Sequence, residues 1–370
     1  MGRRRYESGT TVLLAGTKRG LFLFTSKDRA AWKAEGPILD GGQVFNAILD
    51  QRGGSPRVFA ADNNPIFGSV VRYSDDFGVT WHEPKTPIAF PASTKQSLEN
   101  VWIVQPGRES EPETVYAGVD PASLWVSRDR GDTWEPDRGI LDHPTRPRWQ
   151  PGLGGLCMHS IACDPSDRNR MWVAASAVGV LRTTNNGSSW TFMNAGVPAW
   201  HLPDPYPEFG QCVHRLLVDP TNPDRLVQQN HHGMFESTDA GQKWRDIQAN
   251  LPSAFGFPMA MDPHDPQTLF TIPQTAPDKG RHNIGDQFAV WRTTNGGAEW
   301  KRMEKGLPKG PQVRLGVLRH GMSTDGANPC GVYAGTGTGQ LFASNDRGSS
   351  WQLVADYMPT IYSVNAATIA

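Results

Sequence analysis

The chain has 370 residues, with 36 Lys and Arg against 37 Asp and Glu, and no basic tract beyond Arg3–Arg5. Near-neutral charge without such a tract argues against nucleic acid or an anionic membrane as partner. No apolar run approaches the roughly 20 residues of a spanning helix, and Cys157, Cys163, Cys212 and Cys330 show no disulfide spacing, so no membrane association and a cytoplasmic location are expected.

Arg3–Arg5 are followed by TTVLLAG, which reads as a strand rather than the core of a secretory signal. From there one phrase recurs. It reads SDDFGVTW at 74–81, SRDRGDTW at 127–134, TTNNGSSW at 183–190, STDAGQKW at 237–244, TTNGGAEW at 293–300 and SNDRGSSW at 344–351, with a degenerate copy, TSKDRAAW, at 25–32. Each lies between apolar runs, as a turn between two strands should. The Asp or Asn (Asp76, Asp129, Asn185, Asp239, Asn295, Asp346) is suited to accept hydrogen bonds from turn amides. The Gly supplies a positive φ, and the Trp supplies an apolar face for the next sheet. Identical chemistry at every repeat points to a fold element rather than to seven active sites.

Ahead of each phrase stands a second strand, as in LLAGT at 13–17, TVYAG at 114–118, MWVAA at 171–175 and VYAGT at 332–336. Ahead of that stands a third, as in SIACDP at 160–165, RLLVDP at 215–220 and MAMDP at 259–263. A unit of about 50 residues with four strands, A to D, implies an all-β fold, a seven-bladed β-propeller of four-stranded antiparallel blades. The first unit lacks strand A, and IYSVNAATI at 361–369 is a strand without a blade. It is expected to pair beside residues 11–17 and close the ring, removing open edges. Residues 1–370 then form a single propeller domain, with blade one built from 11–34 plus 361–369.

In such a disc the Asp-box turns share one face, and the D-to-A and B-to-C connections share the other. Three D-to-A connections are long: 82–100, 135–155 and 191–211. A B-to-C insertion covers 273–287. Loops of this length are uncommon without a role, so a cleft over blades three to six is expected. His159 and His214 fall at equal heights on neighbouring A strands, each two residues after a Cys (Cys157, Cys212). A zinc or copper site is one reading of that pattern. The spacing lacks a CxxC element, and small buried thiols beside core imidazoles fit better, so no metal or cofactor is expected. His159, His214 and Glu208 are the candidates for acid–base catalysis. Asn100, Arg148, Trp149, Tyr206, His231 and His232 are the candidates for substrate binding, and Glu99 precedes Asn100.

The repeated phrase resembles the BNR, or Asp-box, repeat, found in sialidases, xyloglucan-cleaving glycosidases, sortilin-type receptors and photosystem assembly factors. The whole chain resembles bacterial single-propeller, sialidase-like BNR-repeat proteins, with HPTRPRWQPGLGGLCMHSI and LPDPYPEFGQCVH among the matching segments. The resemblance implies a hydrolase or lyase acting on a glycan or another polar small molecule. It does not extend to a typical sialidase, because no Arg-Ile-Pro segment is present. A non-catalytic scaffold that grips a protein partner, as the assembly factors do, is the alternative.

Overall fold

The computed structural model describes residues 4–370. Its strands form seven antiparallel sheets, the blades of a β-propeller. Blade one contains β1 (Thr11–Thr17), β2 (Gly20–Ser26) and β3 (Lys33–Ile38). Blade two contains β4 (Gln43–Asp50), β5 (Arg57–Asn64) and β6 (Gly68–Ser74). Blade three contains β7 (Asn100–Pro106), β8 (Val115–Asp120), β9 (Ser123–Ser127) and β10 (Glu135–Pro136), followed by the one-turn helix α1 (Arg138–Leu141). Blade four contains β11 (Cys157–Cys163), β12 (Met171–Ser176), β13 (Gly179–Thr183) and β14 (Thr191–Phe192). Blade five contains β15 (Val213–Val218), β16 (Leu226–Asn230), β17 (Gly233–Ser237) and β18 (Arg245–Asp246). Blade six contains β19 (Gly256–Asp262), β20 (Asp265–Pro273), β21 (Val290–Thr293) and β22 (Lys301–Met303). Blade seven contains β23 (Met322–Thr324), β24 (Val332–Gly335), β25 (Leu341–Ser344) and β26 (Gln352–Ala355), and the chain ends in β27 (Ile361–Thr368).

The closing strand behaves as expected. β27 pairs antiparallel with β1, from Thr11↔Thr368 to Thr17↔Ile361, giving blade one the order β27-β1-β2-β3. Blade two departs from the four-strand rule: its sheet has three strands, and a bridge between Tyr73 and His82 stands where the fourth would run. The HEPKTP segment that follows is rich in Pro, which cannot donate to a ladder. No helix among the described residues is long and apolar enough to cross a membrane.

Two compact units divide the chain. One is built chiefly from Ile48–Gln228 and Glu236–Arg245, the other from Tyr6–Ala47, Gln229–Phe235 and Asp246–Ala370. In the first, the strands bury Val101, Val104, Ala117, Trp125 and Val173 almost completely. In the second, Leu13, Phe270, Phe288 and Tyr333 fill the same role.

The Asp boxes are structural turns. Ser74 Oγ donates to Asp76 Oδ1 (2.8 Å) and accepts from Gly78 N (2.8 Å), while Thr80 N donates to Asp76 Oδ1 (2.8 Å). The same triangle recurs at Ser127, Asp129, Gly131 and Thr133 and at Ser344, Asp346, Gly348 and Ser350. Burial pushes the Asp76 carboxyl up, but hydrogen bonds from Thr80, Ser74 and Val79 together outweigh it and hold the group below the ordinary carboxylate range. In the degenerate copy Ser26 and Asp28 take over, with Ala30 N and Ala31 N donating to Asp28 Oδ1.

Candidate functional site

The sequence candidates occupy different environments. His159 is fully buried on β11, its ring nitrogens 3.2 Å from the hydroxyls of Ser160 and Ser176. His214, on β15, is also buried, with Nε2 3.7 Å from Cys212 Sγ. Glu208 is exposed, and its backbone carbonyl accepts from Asn194 Nδ2 (2.9 Å). The Tyr206 ring is exposed on the same loop. Arg148 is exposed, with its guanidinium 5.0 Å from the Phe209 ring centre. Trp149 is a core residue, packed with Ile140 and Phe192, and its indole donates to Thr145 Oγ1 (3.0 Å). In the second unit His231 packs edge-on against Phe255 and stands 4.9 Å, centre to centre, from His232. Asn100 opens β7 directly opposite Asp120, the last residue of β8.

Asp120 is the residue that sequence reading passed over, and the repeat shows why it matters. One residue of each strand B pairs with the Asp-box Ser or Thr: Val58 with Ser74, Val115 with Ser127, Met171 with Thr183 and Leu269 with Thr293. Five residues onward from those positions stand Asn63, Asp120, Ser176 and Gln274. Three of the four make one particular bond. Asn63 Nδ2 donates to Val101 O (3.0 Å), Ser176 Oγ to Val213 O (3.2 Å) and Gln274 Nε2 to Val317 O (2.7 Å). Asn63 and Ser176 thereby tie their blades to the first strand of the next, and Gln274 ties its blade to the segment that leads into β23. An ionised Asp has no proton to donate, and among the described residues no hydrogen bond or ion pair engages the Asp120 carboxyl.

That carboxyl is nearly buried. Burial, and after it the negative charge of Glu99, pushes it up to about 7. Glu99 is exposed, and its backbone N donates to Asp120 O (2.9 Å). Two carboxyl groups thus share the end of the β7–β8 ladder, one held protonated into the neutral range. Gly155 adjoins them. A methyl group there would lie 2.5 Å from Asp120 Oδ2, and its φ of +98° is itself one that glycine favours. The glycine leaves that oxygen uncovered.

Asp137, which opens α1, is instructive by contrast. Burial pushes it up to about 6, but it accepts from Ile140 N and Trp190 Nε1 (3.0 Å each). It is a helix cap and a packing partner. Burial raises both acids; only Asp120 lacks protein donors. The loops of this unit also carry exposed apolar side chains, Phe67, Leu153, Trp200 and Tyr206, in its B-to-C and D-to-A connections.

Known proteins give this arrangement a context. The BNR/Asp-box repeat profile matches residues 72–83, which contain the turn at Asp76. The chain is 27% identical over 341 residues to the xyloglucanase Xgh74A of Acetivibrio thermocellus, an alignment covering 80% of this chain and 37% of that protein. It is 28% identical over 214 residues to an oligoxyloglucan-reducing end-specific xyloglucanase of Emericella nidulans, covering 50% and 25%. The chain therefore spans between a quarter and little more than a third of the length of these curated relatives. Among solved structures, an ancestral GH74 enzyme superposes with a TM-score of 0.57 at 18% identity, covering 85% of this chain and 39% of that one. A putative 6-phosphogluconolactonase from Bacteroides uniformis superposes at 0.53 and 12% identity, covering 97% and 99%. At these identities the superpositions speak for the fold alone. With six regular Asp boxes, a seventh altered one and seven blades, the chain is a β-propeller of the BNR/Asp-box repeat type.

Proposed function

We propose that this propeller is a glycoside hydrolase acting on a glycan of the xyloglucan class, with Asp120 as general acid and Glu99 as its partner carboxylate. The single observation that carries this reading is the carboxyl pair at the end of the β7–β8 ladder. There a repeated inter-blade hydrogen bond is replaced by an acid with no protein donor. Glycosidic bonds are cleaved by such pairs. The protonated member donates to the leaving oxygen as the C–O bond breaks. The ionised member activates water or attacks the anomeric carbon. Unequal environments are what assign the two roles. Exposed aromatic rings, here Phe67, Trp200 and Tyr206, suit the apolar faces of sugar rings. The likeness to two xyloglucanases supports the substrate class. Asn100, beside the pair, and Arg148 are proposed to bind sugar hydroxyls. The buried, hydroxyl-bonded ring of His159 and the buried ring of His214 fit a supporting role better than a proton-transfer role.

The test is reducing-end release from xyloglucan and its oligosaccharides by the purified chain, compared with Asp120→Asn and Glu99→Gln. Each variant is expected to lower kcat by about 10²–10⁴-fold with the fold intact. Wild-type protein that binds xyloglucan without releasing ends, or variants of unchanged rate, would overturn the catalytic assignment. Binding without cleavage would leave a glycan-binding module.

A further inference from the structure

A second feature of the first unit lies apart from the carboxyl pair. A cavity of about 350 Å³ opens between β7, β11 and β15. Ile103 and Gln105, Ile161 and Cys163, and Arg215 and Leu217 line it from the three strands. Ala162 and Leu216, between these residues, also border the space. The lining mixes apolar and polar surface, and Arg215 stands in it as a cation without a counter-ion. Its Nε is sealed from solvent and has no hydrogen-bond partner, and among the described residues no carboxylate forms an ion pair with it. Burial alone pushes the guanidinium down, to about 10, which still leaves it charged at neutral pH.

The neighbours do not supply the missing anion. Burial pushes the Cys163 thiol up to about 11, so it is neutral. Arg108, at the cavity's edge, is already committed: Nε to Asp164 O (2.7 Å), Nη2 to Arg170 O (2.8 Å) and Nη1 to Glu111 (3.1 Å). Glu109, also at the edge, is exposed to solvent, where its charge is screened. Arg215 as a whole is half-buried, and a partly desolvated cation without a partner costs stability, so its presence beside a cavity calls for a ligand that offsets that cost.

We infer that this cavity binds a small organic carboxylate, the Arg215 guanidinium gripping the carboxylate and the Ile103, Ile161 and Leu217 side chains holding its hydrocarbon end. The planar guanidinium fork matches a carboxylate through two parallel hydrogen bonds. The volume has room for a small organic acid, and the lining separates this site from the proposed catalytic one. Neither Glu99 nor Asp120 lines it.

The test is calorimetry and thermal melting of the full chain with sodium butyrate, butyramide, inorganic phosphate and sodium chloride. Butyrate is expected to bind at least tenfold more tightly than its neutral isostere butyramide and to raise Tm. Arg215→Met should erase that preference, and should melt higher than wild type without ligand because the unpaired charge is gone. Arg215→Lys, which keeps the charge and loses the fork, should retain a weakened preference. Equal affinity for acid and amide in wild type, a preference that survives in R215M, or tighter binding of phosphate than of butyrate would overturn the proposal. The wild-type comparison decides it even where R215M folds poorly.

Discussion

Asp120 carries its own signature in the pH dependence of folding. Its carboxyl is pushed from 3.8 to about 7 in the folded protein, so the native state holds this proton more tightly than the unfolded chain. Ionisation therefore opposes folding. The penalty is absent below about pH 4, grows as pH rises, and is complete above about pH 7. At roughly 1.4 kcal/mol per unit, it reaches at most about 4 kcal/mol. Asp120→Asn is thus expected to be more stable than wild type in urea melts at pH 8, with the gain disappearing at pH 4. A stability difference independent of pH would show that the carboxyl is not raised. Gly155→Ala is expected to lower activity and stability together, since its methyl group would lie against Asp120 Oδ2. Asp120 was legible in the sequence only by counting five residues from the strand-B position that pairs with the Asp-box Ser or Thr. The eye goes instead to His159 and His214, whose spacing looks chemical. In the fold, the hydroxyls of Ser160 and Ser176 hold the His159 ring as a core side chain.

At the scale of the element, the Asp box was readable because its chemistry is local. The Ser, the Asp and the Gly all act within one turn, so their spacing alone specifies the hydrogen bonds. Asp129→Ala removes bonds from Ser127 Oγ, Thr133 N and Thr133 Oγ1, and should cost about 1–2 kcal/mol in urea or thermal unfolding. Gly131→Ala should cost more, because φ is +93° and its Cβ would fall 2.8 Å from Phe59 Cε1. Comparable losses at Asn185, three blades along from the degenerate copy, would confirm a purely structural role. A loss of activity at unchanged stability would argue against it. A second repeated device emerges in the fold. Asp164 and Asp219 each directly follow an A strand, accept turn amides, and pair with an Arg six residues on, Arg170 (2.6 Å) and Arg225 (3.2 Å). The inter-blade bond of Asn63, Ser176 and Gln274 was not visible, because three different side chains perform it and no residue type repeats.

For the whole molecule, the number of blades and the closing strand followed from the count of Trp residues and one unassigned apolar run. β27 donates an entire edge to β1, and Ile361 and Val364 are fully buried. Truncation after Thr360 is therefore expected to expose the β1 edge and give aggregated protein in size-exclusion chromatography; a monodisperse, cooperatively melting truncation would contradict this. The site was harder to read than the fold because propeller repeats fix backbone positions while leaving side-chain chemistry free at the strand ends. Within the long loops Trp149 went into the core while Arg148 beside it stayed outside. Polarity in a loop does not tell which way a side chain turns.

The central claim is that Asp120, held protonated near neutrality beside Glu99, delivers a proton to a glycosidic oxygen. The measurement that tests it most directly is the pH profile of kcat/KM on xyloglucan oligosaccharides, for wild type and Asp120→Asn. The account predicts a wild-type rate that falls as pH rises through about 7, and a D120N variant that lacks this limb and retains only a small residual rate. A wild-type profile without a limb near 7, or one that persists unchanged in D120N, would contradict it.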